Sequence, residues 1–288
     1  MGMNVRGILP SMNRLAEWMR DRDRVLVMGV LNVTPDSFHD GGRFADHEEA
    51  INAALRMEAE GADLLDVGGE STRPGAAPLP CDEELERVLP VIEGIRRRSE
   101  ISISIDTTKA DVAREAIEAG ACMVNDVSAL RFDDRMASVV ASSRTLVALM
   151  HMQGRPATMQ KEPSYDDVVV EVRQFLCDRI QAAVDAGISA DRILIDPGIG
   201  FGKRLEHNLD LLRNLHQLVN VGRPVIVGVS RKSFLGRILD LPSPERLEAT
   251  IAANAVAIAN GADVIRVHDV KEGRRTADVA RRLRPDDR

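Results

Sequence analysis

The sequence predicts an α/β fold, a (β/α)₈ TIM barrel made by one domain with a short N-terminal extension. A short apolar run followed by an amphipathic stretch recurs eight times along the 288 residues. The apolar runs lack a polar face, as in Leu-Val-Ala-Leu-Met at 146–150, which favours parallel strands covered by helices. The length also suits one α/β barrel. We therefore expect an extension over residues 1–24 and a barrel over residues 25–288.

Each predicted strand is followed by a helical pattern, beginning with Asp46–Glu60 behind the first strand. The strands, in chain order, are Val25–Val33, Leu64–Gly68, Ile101–Asp106, Met123–Asp126, Leu146–His151, Ile193–Asp196, Val225–Val229 and Val264–His268. Four helical stretches run into a glycine where a helix must end, at Gly61, Gly120, Gly187 and Gly261. A doubly wound open sheet is the alternative fold, and the absence of a G-x-G-x-x-G pattern after any strand counts against it.

The N-terminal extension contains a short amphipathic helical pattern. Met12, Leu15, Trp18 and Met19 fall on one face of this pattern. We expect that face to pack underneath the barrel.

Charge and cysteine usage exclude several classes of function. The formal charge is −7 with scattered basic residues, so no nucleic-acid partner is expected. No apolar run is long enough to cross a bilayer and residues 1–24 lack an export pattern, which predicts a cytoplasmic protein without a membrane partner. The three cysteines form no C-x-x-C pair, so neither a disulfide framework nor a structural zinc site is indicated.

Polar residues stand at the ends of nearly all predicted strands. In a barrel, the carboxyl ends of the strands surround the active site, so these residues are the candidates for function. They are Asn32, Asp66, Asp106, Asn125, Asp126, His151, Asp196, Ser230–Lys232, Arg266 and His268. A helix cap is the simpler explanation for an Asp after a strand, and it is equally good for Asp106 and Asp126 taken singly.

Two long loops follow the first two strands. The first, Asn32–Gly42, combines Asn, two Asp, a Phe and paired Gly, which is more than a surface turn needs. The second, Asp66–Gly75, is glycine-rich and carries Arg73, whose fork of donors suits a diphosphate or a carboxylate. We expect the first loop to close over a site.

Two further segments predict ligand contacts near the last strands. The run Asp196–Lys203 fails the Walker A spacing and is read as a tight loop that brings Phe201 against a flat ligand or forms an apolar plug. Arg266 and His268 are two residues apart on a strand, so both project from one face and can clamp an anion. The cationic Ser230–Phe234 segment adds to this region.

Taken together, these motifs resemble the dihydropteroate synthase family of the pterin-binding barrel superfamily, in the same order and across nearly the whole chain. The segments that carry the resemblance are Gly29–Phe38, Gly69–Gly75, Ser104–Thr107, Asn125–Val127, Met150–Gly154, Asp196–Lys203, Ser230–Ser233 and Arg266–His268. The segments Thr107–Lys109 and Ser128–Leu130 depart from the commoner family forms.

The resemblance implies a set of roles. Its dihydropterin ligand would be held by Asp106, Asn125, Asp196 and Lys232, with Met150 and Phe201 lining the slot. The diphosphate would be bound by Thr72, Arg266 and His268, and by Asn32 through Mg²⁺. The p-aminobenzoate pocket would be formed by Phe38, Thr72, Pro74, Arg231 and Ser233. The groups expected to be catalytic are Asp106, Lys232, Asp40 and Arg73.

The implied reaction joins p-aminobenzoate to a dihydropterin diphosphate, with Mg²⁺ as cofactor and diphosphate as leaving group. Inhibition by sulfonamides, which resemble p-aminobenzoate, is also expected. Apolar helix faces such as Ala249–Ala259 predict a homodimer. The alternatives are a pterin-dependent methyltransferase of the same superfamily, a Schiff-base aldolase using Lys232, and a catalytically silent pterin-binding paralogue.

Overall fold

The computed structural model describes residues 15, 17–20, 22, 24–34, 42–72 and 75–284, with only the backbone for 42–45. Its eight strands are β1 (Leu26–Asn32), β2 (Leu64–Gly68), β3 (Ser102–Asp106), β4 (Met123–Asp126), β5 (Leu146–Met150), β6 (Ile193–Asp196), β7 (Ile226–Val227) and β8 (Val264–Val267). The sheet order is β6-β5-β4-β3-β2-β1-β8-β7, and every pairing is parallel. A parallel bridge between Ile195 and Val225 joins the two edge strands, so the sheet closes into the predicted barrel.

Helices follow the strands and cover the outside of the barrel. They are α1 (Gly42–Ala59), α2 (Cys81–Arg96), α3 (Ala110–Glu118), α4 (Met136–Ser142), α5 (Val168–Asp185), α6 (Leu205–Arg213), α7 (Leu215–Val219), α8 (Ser233–Leu239), α9 (Leu247–Ala259) and α10 (Val270–Leu283). The four predicted stop glycines all have positive φ, from 93° at Gly187 to 117° at Gly120, a conformation that other residues adopt at a cost. Among the described residues, the model has no helix with both the length and the apolar character needed to span a lipid bilayer.

The seventh strand is shorter than the predicted Val225–Val229. Beyond Val227 the chain leaves the ladder and turns, with Lys232 N donating to Val229 O at 3.2 Å and Arg231 at a φ of 55°. Hydrophobicity alone could not show this turn, because Val229 remains fully buried in the packing between strands and helices.

Side chains inside the barrel change from apolar to polar along the strands. At the amino-terminal end the interior is filled by Met28, Leu64, Met123, Leu194 and their apolar neighbours, which form one cluster. Strand alternation places the residues two positions further along on the same inner face. These are Val30, Asp66, Ser104, Asn125, Ala148, Asp196, Gly228 and Arg266. The packed half of the barrel therefore supports a polar ring at the mouth.

The N-terminal lead-in closes the apolar end of the barrel, as predicted. Leu15 and Trp18 are only 5% and 6% exposed, and both pack against the apolar strand starts. Trp18 Nε1 also donates to Arg24 O at 2.8 Å, which satisfies the indole N–H. Met19 packs partly buried against the same cluster, while Met12 lies outside the described residues.

Candidate active site at the carboxyl ends of the strands

Four polar side chains from four strands form one hydrogen-bonded network inside the barrel mouth. The Arg266 guanidinium donates from Nε to Asp66 Oδ2 at 2.6 Å and from Nη2 to Asp106 Oδ2 at 2.8 Å. Asn125 Nδ2 donates to the same Asp66 oxygen at 2.9 Å. The residues expected to hold the heterocycle and the diphosphate therefore share one interior.

Asp66 is the central member of this network, although sequence reasoning assigned no specific role to it. It is fully buried and accepts bonds from both Asn125 and Arg266. The only sequence signal was its place near the end of a strand, facing the same way as Gly68. Its partners lie 59 and 200 residues away along the chain, so local pattern could not reveal the pairing.

Neither Asp106 nor Asp126 caps the helix that follows it, because Lys109 precedes α3 and Arg135 precedes α4, and neither helix has a side-chain cap. Asp126 faces outward and accepts from Ser128 N at 2.7 Å and Leu130 N at 2.9 Å, which shapes the loop after β4. Asp106 faces the barrel interior and pairs with Arg266 instead. Strand alternation explains the two directions. Asp106 lies two positions after the inward-facing Ser104, whereas Asp126 directly follows the inward-facing Asn125 and so points outward.

The ring leaves several buried acceptors without a partner. Within the described residues these include Asp66 Oδ1, Ser104 Oγ and Asp106 Oδ1, all on inner faces of β2 and β3. Buried polar atoms without hydrogen bonds are costly, so native sites usually supply a partner for them. Adjacent N–H donors on the edge of a flat ligand would satisfy such acceptors.

Burial perturbs the charges of the ring. The pKa of Asp106 is raised to about 8, mainly by burial and to a smaller extent by the neighbouring Asp66 carboxylate, although Arg266 opposes the shift. Burial lowers the pKa of Lys232 to about 8, with Asp196 acting in the opposite direction. Burial likewise raises the pKa of Asp196. Strongly shifted groups gathered in one mouth are typical of a functional site.

The glycine-rich loop after β6 forms one wall of the mouth. Asp196 Oδ1 accepts from Gly198 N at 2.6 Å, and Gly198, Gly200 and Gly202 all have positive φ between 59° and 83°. A Cβ at Gly198 would lie 1.9 Å from His151 O, so only glycine fits there. This path brings Phe201 under Lys232, whose Nζ lies 4.7 Å from the centre of the ring.

Phe201 and Met150 belong to the same apolar surface. Met150 is buried with Val127, Met152 and Met159, and Phe201 packs against this cluster. Lys232 donates to Ile199 O in the same loop. The side chains expected to line a slot for a flat ring therefore lie side by side.

A buried lysine that sequence reasoning did not single out fastens this loop to its neighbour. Lys203 is 2% exposed, and its Nζ lies 2.9 Å from His151 Nδ1 and 3.0 Å from Phe201 O. Burial and the nearby Lys203 and Arg131 lower the pKa of His151, so its ring is neutral and can accept this bond. The only sequence signal for Lys203 was its position at the end of the Asp196–Lys203 motif.

The anion-binding residues lie on the β7 and β8 side. Arg266 is already paired with two carboxylates, but Nη1 remains available for a ligand anion. His268 lies further out, with Nδ1 3.0 Å from Ser230 Oγ. Arg231 Nε donates to Asp269 Oδ2 at 2.9 Å, so its charge is neutralised locally. Ser233 is exposed at the start of α8.

A cavity of about 660 Å³ opens beside the ring, between the loops that follow β2 to β5. Asp106 and Thr72 both line it, so Thr72 lies at the rim of the same mouth. Asn125, Asp196, Lys232 and Arg266 do not line this cavity, and Asp106 connects it to the polar network. The remaining expected site residues, Phe38, Asp40, Arg73 and Pro74, lie outside the described residues.

Asn32 is the one residue that the sequence assigned to a metal. It ends β1 four positions after the inward-facing Met28, so it lies on the inner face beside Gly68. No group of three His, Cys, Asp or Glu that could enclose an ion occurs in the described part of the chain. One amide oxygen at the mouth still fits Mg²⁺, which commonly takes one or two protein oxygens together with water and substrate phosphates.

Comparisons with known proteins agree on one family. A model described as "Pterin binding enzyme" matches residues 28–268. The dihydropteroate synthase of Synechocystis sp. is 48% identical over 264 residues, which is 91% of this chain and 90% of that protein. A solved structure of Xanthomonas albilineans dihydropteroate synthase with 4-aminobenzoic acid is 47% identical, with a TM-score of 0.86 over 91% of this chain and 94% of that one. Another, in complex with 7,8-dihydropteroate, is 44% identical, with a TM-score of 0.83 and the same coverage.

Proposed function

The chain belongs to the pterin-binding enzyme family, among its dihydropteroate synthases, and from that membership we propose what it does. It condenses p-aminobenzoate with (7,8-dihydropterin-6-yl)methyl diphosphate, giving 7,8-dihydropteroate and diphosphate in folate biosynthesis. The observation that carries this function is the buried ring of polar strand ends, which joins a heterocycle-binding floor to an arginine suited to phosphate.

We propose that the dihydropterin binds inside the polar ring at the barrel mouth. Asp106, Asn125 and Asp196 would accept or donate at the edge of the aminopyrimidinone, where acceptors without partners are found on the facing strands. Lys232 would donate a hydrogen bond to the pterin on the opposite side of the heterocycle. Met150 and Phe201 would hold its flat faces, because they form the neighbouring apolar surface.

The diphosphate would lie nearer the rim. Arg266, His268 and Thr72 would contact its oxygens, and Asn32 would hold Mg²⁺ through its amide oxygen. Bound there, magnesium would neutralise part of the charge on the diphosphate. Arg266 would then link the two halves of the substrate, since its remaining donors face away from Asp66 and Asp106.

The second substrate, p-aminobenzoate, would bind between the two long loops and the start of α8. Phe38, Thr72, Pro74, Arg231 and Ser233 are the proposed contacts. Asp40 and Arg73 are proposed to act catalytically on the same loops. Closure of these loops would exclude water, which competes with the amine for the same carbon.

The reaction is a substitution at the methylene carbon of the pterin. The bond from carbon to the diphosphate oxygen breaks, and the amine nitrogen bonds to that carbon. The nitrogen loses a proton, which the released diphosphate takes up. Arg266 and His268 stabilise the charge that grows on the leaving diphosphate. Asp106, which would lie beside the pterin, would stabilise positive charge left on the ring through its carboxyl oxygens. No enzyme nucleophile is required.

The experiment that tests this function is a set of single-omission incubations. The full mixture contains the protein, the dihydropterin diphosphate, Mg²⁺ and p-aminobenzoate. We expect diphosphate and dihydropteroate in equal amounts, and neither product when the amine is omitted. Release of diphosphate at the same rate without the amine would indicate hydrolysis instead, and binding without release would indicate a silent paralogue.

We also propose that the enzyme works in the cytoplasm as a homodimer, with residues 25–288 as the catalytic barrel and 1–24 as its extension. Support for the dimer comes from Val256 on α9 and Val279 on α10, which are 50% and 61% exposed on adjacent helices. Sedimentation across a range of protein concentrations measures the assembly directly.

A further inference from the structure

A cluster of three charges lies next to the cavity and has no place in the mechanism above. The Lys109 ammonium bonds Glu84 Oε2 at 2.5 Å and also bonds the Glu70 carboxylate. Glu84 is completely buried, while Lys109 and Glu70 retain 23% and 21% of their side-chain exposure. We call Lys109, Glu70 and Glu84 the lysine clasp.

The lysine clasp connects three separate elements around the mouth. Glu70 lies in the loop after β2, two residues before Thr72. Glu84 is in the first turn of α2, and Lys109 stands immediately before α3, three residues after Asp106. One ammonium therefore holds the second loop against the helix that follows it and against the strand end that carries Asp106.

Glu70 also closes the second loop on itself. Its Oε1 accepts from Leu79 N at 3.0 Å, so both ends of the segment 70–79 are tied together. Arg87 holds the preceding residue through Gly69 O at 2.9 Å. A Cβ on Gly69 would lie 2.9 Å from Val88 and 3.1 Å from Glu84, so the loop base packs directly on α2. The base is thus fixed at four points.

The Lys109 ammonium is needed because it is the shared partner of two carboxylates, Glu70 and Glu84. Burial raises the pKa of Glu84, and Lys109 is the group that most opposes this shift. Without the cation, the Glu70 and Glu84 carboxylates would lose their shared partner, and a buried charge such as that of Glu84 is strongly destabilising without its partner. The loop base would then move away from α2.

We propose that Lys109 is a positioning residue for the arylamine substrate: through the lysine clasp it fixes the base of the second loop and so presents Thr72 to p-aminobenzoate. This inference rests on the proposed function. Lys109 touches no reacting atom, and the pterin ring is bound by different residues. Loss of the clasp should therefore weaken use of the amine more than binding of the pterin.

The test compares Lys109→Met with the double variant Lys109→Met/Glu84→Gln. The double variant restores the net charge of the cluster, so it folds even where the single variant is destabilised, while the loop remains untied. We expect the KM for p-aminobenzoate to rise about tenfold or more in both, because small displacements of positioning groups are costly. The affinity for the hydroxymethyl dihydropterin, which lacks the diphosphate that Thr72 would contact, is measured by calorimetry and should stay within about twofold of the original.

A second variant and a control keep the outcome clear. Glu70→Gln retains the Lys109–Glu84 pair and should raise the same KM by a smaller factor, about threefold. Arg114→Met removes an exposed arginine of α3 that pairs with Asp111 at 2.7 Å, and it should change neither constant. An unchanged amine KM in the double variant and in Glu70→Gln, or an equal loss of pterin affinity, would overturn the inference. An inactive original enzyme would instead refute the proposed function.

Discussion

At the residue scale, the site depends on charges that are paired with each other before any ligand arrives. Arg266 pairs with Asp66 and also donates to the carboxyl group of Asp106, whose raised pKa favours its protonated form, and Asn125 donates to Asp66 as well. A buried cation with two carboxylates is tolerable only because each bond has good geometry. A ligand that enters must therefore offer donors to the carboxylates and an anion to the guanidinium, and a heterocycle attached to a diphosphate offers both.

The raised pKa of Asp106 predicts a specific dependence of stability on pH. Its folded pKa of about 8 lies above the ordinary value of 3.8, so the folded state binds a proton more tightly than the unfolded chain does. Its contribution to stability is full below about pH 4 and is lost as pH rises through 8. Asp106→Asn removes this loss. We expect the variant to gain free energy of unfolding, relative to the original protein, between pH 5 and pH 8.

Urea denaturation at several pH values measures that difference. Asp111→Asn is the matched control, because Arg135 and Arg114 lower the pKa of this exposed carboxyl, and it titrates below the tested range. Its difference from the original protein should stay constant from pH 5 to pH 8. An equally constant difference for Asp106→Asn would show that Asp106 is ionised throughout.

Residues that end strands could be predicted, whereas their partners could not. Their position at strand ends predicted that Asp106, Asn125, Asp196 and Arg266 would surround the barrel mouth, where the structure has them. The role of Asp66 depends on an arginine 200 residues later, and local sequence carries no information about such a pairing.

At the element scale, the loop after β6 gains its shape from three glycines in left-handed conformation. Gly198 is the tightest, because a side chain there would overlap the carbonyl of His151. We expect Gly198→Ala to lower the free energy of unfolding by about 3 kcal/mol or more, from backbone strain and overlap combined.

Gly222→Ala is the natural comparison for this change. Gly222 also has a positive φ, 81°, but nothing lies within 4 Å of its added Cβ. It should therefore show the conformational cost alone, about 1 kcal/mol. Equal losses in the two variants, measured by urea denaturation, would mean that the loop moves freely away from His151.

Element ends were predictable where a local signal exists. The stop glycines marked four helix ends correctly, since the left-handed conformation they need is a property of the residue itself. The end of β7 was predicted two residues too late, because the turn at Arg231 is imposed by contacts with α9, where Thr250 Oγ1 accepts from Arg231 N at 3.0 Å.

At the scale of the whole molecule, stability and chemistry lie at opposite ends of the barrel. The lead-in around Trp18 fills the apolar end, and the polar ring fills the other. This division is the usual one for such barrels. A substitution at the apolar end can therefore lower stability without changing the residues of the active site.

Trp18→Ala tests this separation. We expect a loss of about 3–5 kcal/mol in the free energy of unfolding, because a large buried side chain leaves a cavity. Under folding conditions, kcat and both KM values should stay near those of the original. Circular dichroism must follow the unfolding, since Trp18 is the only tryptophan in the sequence. Lost activity without lost stability would contradict the separation.

The central claim is that the polar ring at the strand ends binds the dihydropterin. Calorimetric titration of Asp196→Asn with the dihydropterin diphosphate tests it most directly, because asparagine keeps the acceptor for Gly198 N and replaces the second, ligand-facing acceptor with an uncharged donor. We predict that affinity falls about a hundredfold while the melting temperature stays close to the original. Unchanged affinity in the folded variant would place the ligand elsewhere and contradict the account.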